Sequence, residues 1–170
     1  MDEIVPGLWR WTAPHPAWRP GAEPDSPDDW DELVACVLYE CGDAVVFIDP
    51  LIPPDAASFW MWADSTSRAR RSLPPQVRPI PLRGAAETVF WLPDIRTLVP
   101  GDRILGAPGG GLRLCPESWL YWVKVDLDGL RSLLEPLLEL PIERVVVPHG
   151  EPVLQDGQAA LRRCLSSPAG

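Results

Sequence analysis

Asp102 and His149 are the residues of this chain whose types and positions best suit chemistry. Asp102 closes Leu98-Val-Pro-Gly-Asp102, an apolar run entering an acidic turn. His149 sits in Val145-Val-Val-Pro-His149-Gly150, a second apolar run entering a histidine turn. A carboxylate and an imidazole at two strand ends can ligate a divalent metal such as zinc, or act as an acid–base pair. Both also have structural readings. Asp102 suits a turn or helix cap that accepts backbone N–H bonds, and His149 suits a strand-end histidine hydrogen-bonded to Asp102. The ligand count weighs against a metal. The chain has two histidines, His15 and His149, whereas catalytic zinc takes three protein ligands plus water and structural zinc takes four. Asp49, His15, Asp64, Glu87 or Cys115 would have to converge on the pair, and nothing in their spacing argues that they do. His15, in a proline-rich loop beside Trp18, reads as a solvated loop residue.

Other reactive schemes are weaker. Ser65 and Ser67 lie in an arginine-rich stretch without a G-x-S-x-G frame. Cys115-Pro-Glu-Ser118 puts a thiol near a carboxylate, but its only base would be the distant His149. Gly109-Gly-Gly111 lacks the Lys-Ser/Thr of a phosphate loop and the strand–turn–helix frame of a dinucleotide motif, so it reads as a plain loop. Cys36, Cys41, Cys115 and Cys164 form no C-x-x-C pair and are expected to be reduced thiols. Nine tryptophans in 170 residues is a high count. Their large apolar area favours packing in a core or hinge over a ligand pocket or a dimer patch.

Composition narrows the class. One domain spanning 1–170 is expected from the length. The net charge of −9 argues against nucleic acid and anionic membranes as partners. No apolar run approaches the ~18 residues that a membrane helix needs, and Met1-Asp-Glu does not open like a signal peptide, so a cytoplasmic location is expected.

The elements that must position Asp102 and His149 can be read from periodicity. Ile4–Thr12 suits a strand, with Leu8, Arg10 and Thr12 on one face and Trp9 and Trp11 on the other. Residues 13–31 are a Pro/Asp-rich surface loop, because repeated prolines block both ladders and helices. Leu33–Cys41 and Ala44–Ile48 flank Gly42-Asp43 and predict a hairpin. A helix is expected from Pro53 to about Arg70, with Pro and Asp at its start and arginines at its end. Val77–Leu82 predicts a strand, and Thr88–Leu92 with Thr97–Val99 a hairpin around Pro93-Asp94. Residues 107–111 read as a flexible loop. Leu127–Leu140 predicts an amphipathic helix with Pro136 discordant, Arg144–Val147 a buried strand, and Gln158–Leu165 a closing helix. The expected class is α/β, a layered sheet–helix domain with a mostly antiparallel or mixed sheet.

Four stretches then resemble the metallo-β-lactamase-like hydrolase superfamily. They are Val5-Pro-Gly-Leu-Trp9, Val45-Val-Phe-Ile-Asp49-Pro50, Thr97-Leu-Val-Pro-Gly-Asp102 and Val146-Val-Pro-His149-Gly150-Glu-Pro-Val153. The resemblance implies an αββα fold. It also implies that Asp102 would be the carboxylate bridging two metals and His149 a ligand of the second. The family's H-x-H-x-D-H is missing, and the interval Leu51–Gln76, where it belongs, has no histidine. The fold is therefore expected to be internally shortened and the metal set incomplete. The function expected is that of a homologue without most metal ligands, a non-catalytic protein that binds a small molecule or a partner. No cofactor is expected on that reading, and zinc or another divalent metal on the alternative, an active hydrolase of esters, thioesters or similar bonds that uses Asp102, His149 and further ligands. A homodimer is the favoured assembly, since a shortened sheet leaves ladder groups open to a second copy.

Overall fold

The computed structural model describes residues 1–24, 26, 28–51 and 73–167. The expected helix from Pro53 to Arg70 lies outside them, as do Asp64, Ser65 and Ser67. Ten strands and two α-helices lie among the described residues. A first antiparallel sheet has the order β1 (Asp2–Val5), β2 (Leu8–Pro14), β3 (Leu33–Cys41), β4 (Ala44–Ile48). The second has the order β10-β7-β6-β5, from β5 (Arg78–Leu82), β6 (Glu87–Leu92), β7 (Thr97–Val99) and β10 (Arg144–Val145). Only β10 with β7 is parallel in that sheet. β8 (Ile104–Gly106) and β9 (Leu112–Leu114) form a separate ribbon.

Alternation along the strands builds the layers. Val37 and Tyr39 of β3, with Val46 and Ile48 of β4, share a core with Leu92, Val99 and Val146, so the two sheets pack face to face. The neighbouring residues Trp91, Leu98, Val145 and Val147 point the other way, into a larger core. There they meet Leu130 and Leu134 of α1 (Leu127–Leu134) and Leu161 of α2 (Gly157–Ser166). The second sheet is thus covered on both faces, which is why its strands read as continuous apolar runs rather than as alternating ones. The α/β expectation with a mixed, mostly antiparallel sheet holds. No helix among the described residues is long and apolar enough to cross a membrane.

Three expectations are corrected, and the loop read over residues 107–111 gains its flanking strands. The strand read as Ile4–Thr12 is two strands, because Pro6-Gly7 turns the chain, with Gly7 at φ 82°. Proline followed by a positive-φ glycine is the pattern of a type II turn. The helix read as Leu127–Leu140 leaves the α form at Leu134 and continues as a 3₁₀ turn over Glu135–Glu139. Pro136 has no N–H to donate to the preceding turn and its ring crowds that turn's carbonyl. Residues 107–111 are the turn of the β8–β9 ribbon, whose three-residue strands are too short to show a period. The strand read as Arg144–Val147 pairs as a ladder only over Arg144–Val145.

Candidate functional site

Asp49, Glu87, Asp102 and His149 arrive at one cavity from four strand ends. Asp49 follows β4, Glu87 opens β6, and Asp102 follows β7 after Pro100-Gly101. His149 ends the run that begins in β10. The cavity has a volume of about 590 Å³, and its wall includes all four residues. His15 also lines it, with its ring edge-on to Trp30 at 4.8 Å and its Nδ1 accepting from the Ala17 N–H at 3.1 Å. His15 is a loop residue, as expected, and is half-buried at the edge of the cavity. Trp30, Trp119 and Trp122 complete the aromatic part of the wall.

The backbone around His149 is fastened on three sides. The Ala35 N–H donates to the Pro148 carbonyl at 2.7 Å, which ties the turn to the first sheet. The Gly106 N–H donates to the His149 carbonyl at 2.8 Å, and the Arg10 guanidinium donates to the Gly150 carbonyl at 2.8 Å. The Gly106 bond needs close backbone approach. A Cβ on Gly106 would lie 2.7 Å from the backbone N and O of Glu151. Gly150, at φ 78°, faces Gly106 from the other side.

His149 is 5% exposed. Its Nε2 is 3.6 Å from Asp102 Oδ1, beyond hydrogen-bond range. The expected hydrogen bond between the two is thus replaced by a looser facing contact. His149 Nδ1 is buried without a hydrogen-bond partner, as is Trp119 Nε1. The two rings are edge-to-face at 5.6 Å, and Trp30 stands edge-on to the same imidazole at 6.1 Å.

Glu87 holds the Asp102 turn in place. Its Oε2 accepts from the Asp102 N–H at 2.9 Å and its Oε1 from the Thr88 N–H at 2.9 Å. Gly101 makes this possible, because any Cβ there would meet the Glu87 carboxylate. Burial first of all pushes the Glu87 carboxyl above the usual range, against the two N–H bonds that favour its charge. The Asp49 carboxyl is pushed up too, by burial and then by the charge of Asp102. Arg103 is the cation of the wall. It is engaged through Nε with the Ala85 carbonyl at 3.1 Å and through a guanidinium nitrogen with the Trp119 carbonyl at 3.4 Å.

The candidates from the sequence thus separate. Asp102 and His149 are brought together, and Asp49, Glu87 and His15 join them at one cavity, which their spacing did not suggest. All four cysteines are buried and none is in a disulfide among the described residues, and Cys115 is packed in the helix-side core rather than in the cavity wall. Tryptophan as a cavity wall was not the reading favoured from the sequence. Glu87 carried a signal that could have been used. The β6–β7 hairpin pairs Phe90 with Val99, and continuing that register outward sets Glu87 opposite Asp102.

The described donors do not by themselves fit a zinc centre. Among the described residues, no group of three or more His, Cys, Asp or Glu side chains is placed to hold a metal ion. Both Glu87 oxygens already accept backbone N–H bonds.

The sequence matches no family model and no curated protein. Solved structures do match. The metallo-β-lactamase family protein TTHA1429 from Thermus thermophilus superposes with a TM-score of 0.56 at 14% identity, over 94% of this chain and 79% of that one. The fold is that of the metallo-β-lactamases. TMB-1 agrees, with a TM-score of 0.53 at 15% identity over 95% of this chain and 96% of its own. In this fold Asp102 and His149 lie at two neighbouring strand ends, 3.6 Å apart at their closest atoms.

Proposed function

We propose that this metallo-β-lactamase-fold chain is a non-catalytic protein that binds a small molecule in the cavity where Asp102 and His149 meet. One observation carries the reading. Of the described groups around that cavity, only Asp102 and His149 stand at the metal-ligating positions of the resemblance, and the wall beside them combines Trp30, Trp119, Trp122, Val34 and Leu51 with the carboxylates of Asp49 and Glu87. Apolar and aromatic side chains with a few convergent polar groups are what small-molecule sites use.

A second reading, a metal-dependent hydrolase of esters, thioesters or similar bonds, is supported by the unpartnered Nδ1 of His149 and by three carboxylates at one cavity. Elemental analysis of protein purified without chelator separates the two. The binding reading expects less than about a tenth of an equivalent of zinc, iron or manganese, and no turnover of ester, thioester or β-lactam substrates. Near-stoichiometric metal that is lost in Asp102→Ala and His149→Ala, together with such turnover, would overturn it in favour of the hydrolase.

A further inference from the structure

We infer that the cavity selects an organic cation, a protonated amine carried on an apolar or aromatic body. This rests on the small-molecule reading above and adds the chemical class of the ligand. Three independent features of the wall lead to it.

The first is charge. Asp49, Glu87 and Asp102 contribute carboxylates to one cavity. The single positive group among the described lining residues, Arg103, is already engaged with the Ala85 and Trp119 carbonyls. Asp102 keeps a half-exposed carboxylate, its side chain 55% exposed, next to a nearly buried imidazole. A carboxylate placed like this can receive a cation from solvent without a large desolvation cost.

The second is the aromatic rim. Trp122 lines the cavity and is nonetheless 79% exposed, in edge-to-face contact with an equally exposed Tyr121. A tryptophan left in water at the mouth of an acidic cavity has an apolar face to cover. Ring faces attract weakly hydrated organic cations in particular. A bare divalent metal would instead need several free oxygen or nitrogen donors, and the described wall does not assemble them.

The third is unmet hydrogen bonding. His149, 5% exposed, and Trp119 each leave a buried ring nitrogen without a partner in the wall. Buried polar atoms are nearly always satisfied; of these two, the His149 nitrogen can accept from an ammonium N–H, whereas the Trp119 N–H only donates and says nothing of the ligand's charge.

Titration calorimetry with benzylammonium, benzyl alcohol and benzoate tests the assignment, because the three probes share a body and differ in charge. Benzylammonium is expected to bind roughly tenfold or more tightly than benzyl alcohol, with benzoate weakest. Asp102→Asn and Trp122→Ala are each expected to weaken benzylammonium by about fivefold or more, with the melting temperature little changed, since both side chains are largely exposed. Equal or tighter binding of benzyl alcohol or benzoate would overturn the cation assignment and leave the small-molecule reading intact. So would affinity for benzylammonium unaltered in both variants. Binding of none of the three overturns the assignment as well, and stoichiometric metal with hydrolytic turnover would remove the reading beneath it.

Discussion

Gly106 and Gly101 do more to place the candidate site than the charged residues they adjoin. Gly106 lets β8 touch the backbone that follows His149, so the imidazole is held by main chain rather than by a side-chain partner. Gly101 leaves room for the Glu87 carboxylate to grip the Asp102 turn. The two obstacles differ in kind, and that difference can be measured. A methyl at Gly106 meets backbone atoms of Glu151 at 2.7 Å, which cannot move without shifting the whole turn. A methyl at Gly101 meets the end of one side chain, which can swing away at the loss of two hydrogen bonds. Gly106→Ala should therefore cost more, in the upper part of the roughly 1–3 kcal/mol range of overpacking substitutions, and Gly101→Ala less. Urea denaturation of the two variants compares them directly, and the opposite order would show that the Glu87 grip is the stiffer of the two.

At the scale of elements, the site depends on strands being stopped and started at the right residue. β7 ends at Val99 and β10 at Val145, and the segments after them carry Gly101-Asp102 and Pro148-His149 to the cavity. The helix α1 covers the opposite face of the same sheet, and its start is set by Asp126, whose side chain accepts from the Gly129 N–H at 2.8 Å. That bond satisfies one of the N–H groups that a helix start leaves open. Asp126→Ala should cost about 1 kcal/mol of stability, as loss of an N-cap usually does. Ligand affinity should stay the same, because α1 lies behind the sheet. A drop in affinity larger than the drop in stability would show that α1 is coupled to the cavity. One hairpin of each sheet was legible in the sequence, since Gly42-Asp43 and Pro93-Asp94 are turn signals between β-rich runs, whereas the β1–β2 turn at Pro6-Gly7 was not. The β8–β9 ribbon and the break of the helix at Leu134 were not. A three-residue strand has no period to read, and a proline near the end of an amphipathic run does not say whether the chain stops or tightens.

At the scale of the whole molecule, the acidic cavity has a cost that pH reveals. Asp49 and Glu87 are both raised above their ordinary carboxylate range, chiefly by burial. Asp102 adds to the rise of each by its charge, while the N–H groups of Thr88 and Asp102 and the charge of Arg103 restrain Glu87. Each group therefore binds its proton more tightly in the folded chain than in the unfolded one. Their contribution is fully present below the ordinary carboxylate range, and it is lost as pH rises through the raised folded values. Asp49→Asn should flatten the dependence of unfolding free energy on pH over that window. Urea midpoints taken at intervals from about pH 4 to pH 7 would show it. Matching slopes in the parent and the variant would mean that Asp49 ionises in the fold as freely as in the unfolded chain.

The class of the fold, the two long hairpins and the helix at each end of the closing β-segment were legible in the sequence. All of these follow from local rules, namely turn chemistry, apolar periodicity and the order of elements along the chain. The count of two histidines also set the limit on metal chemistry before any geometry was known. Only the tertiary structure decided what surrounds Asp102 and His149. Asp49, Glu87, His15, Trp30, Trp119 and Trp122 come from distant parts of the chain and share no spacing. They meet because two sheets pack face to face and their strand ends open on the same side. Whether a tryptophan packs in a core or lines a cavity depends on what lies across from it, and that is fixed by packing between elements rather than by neighbours in sequence.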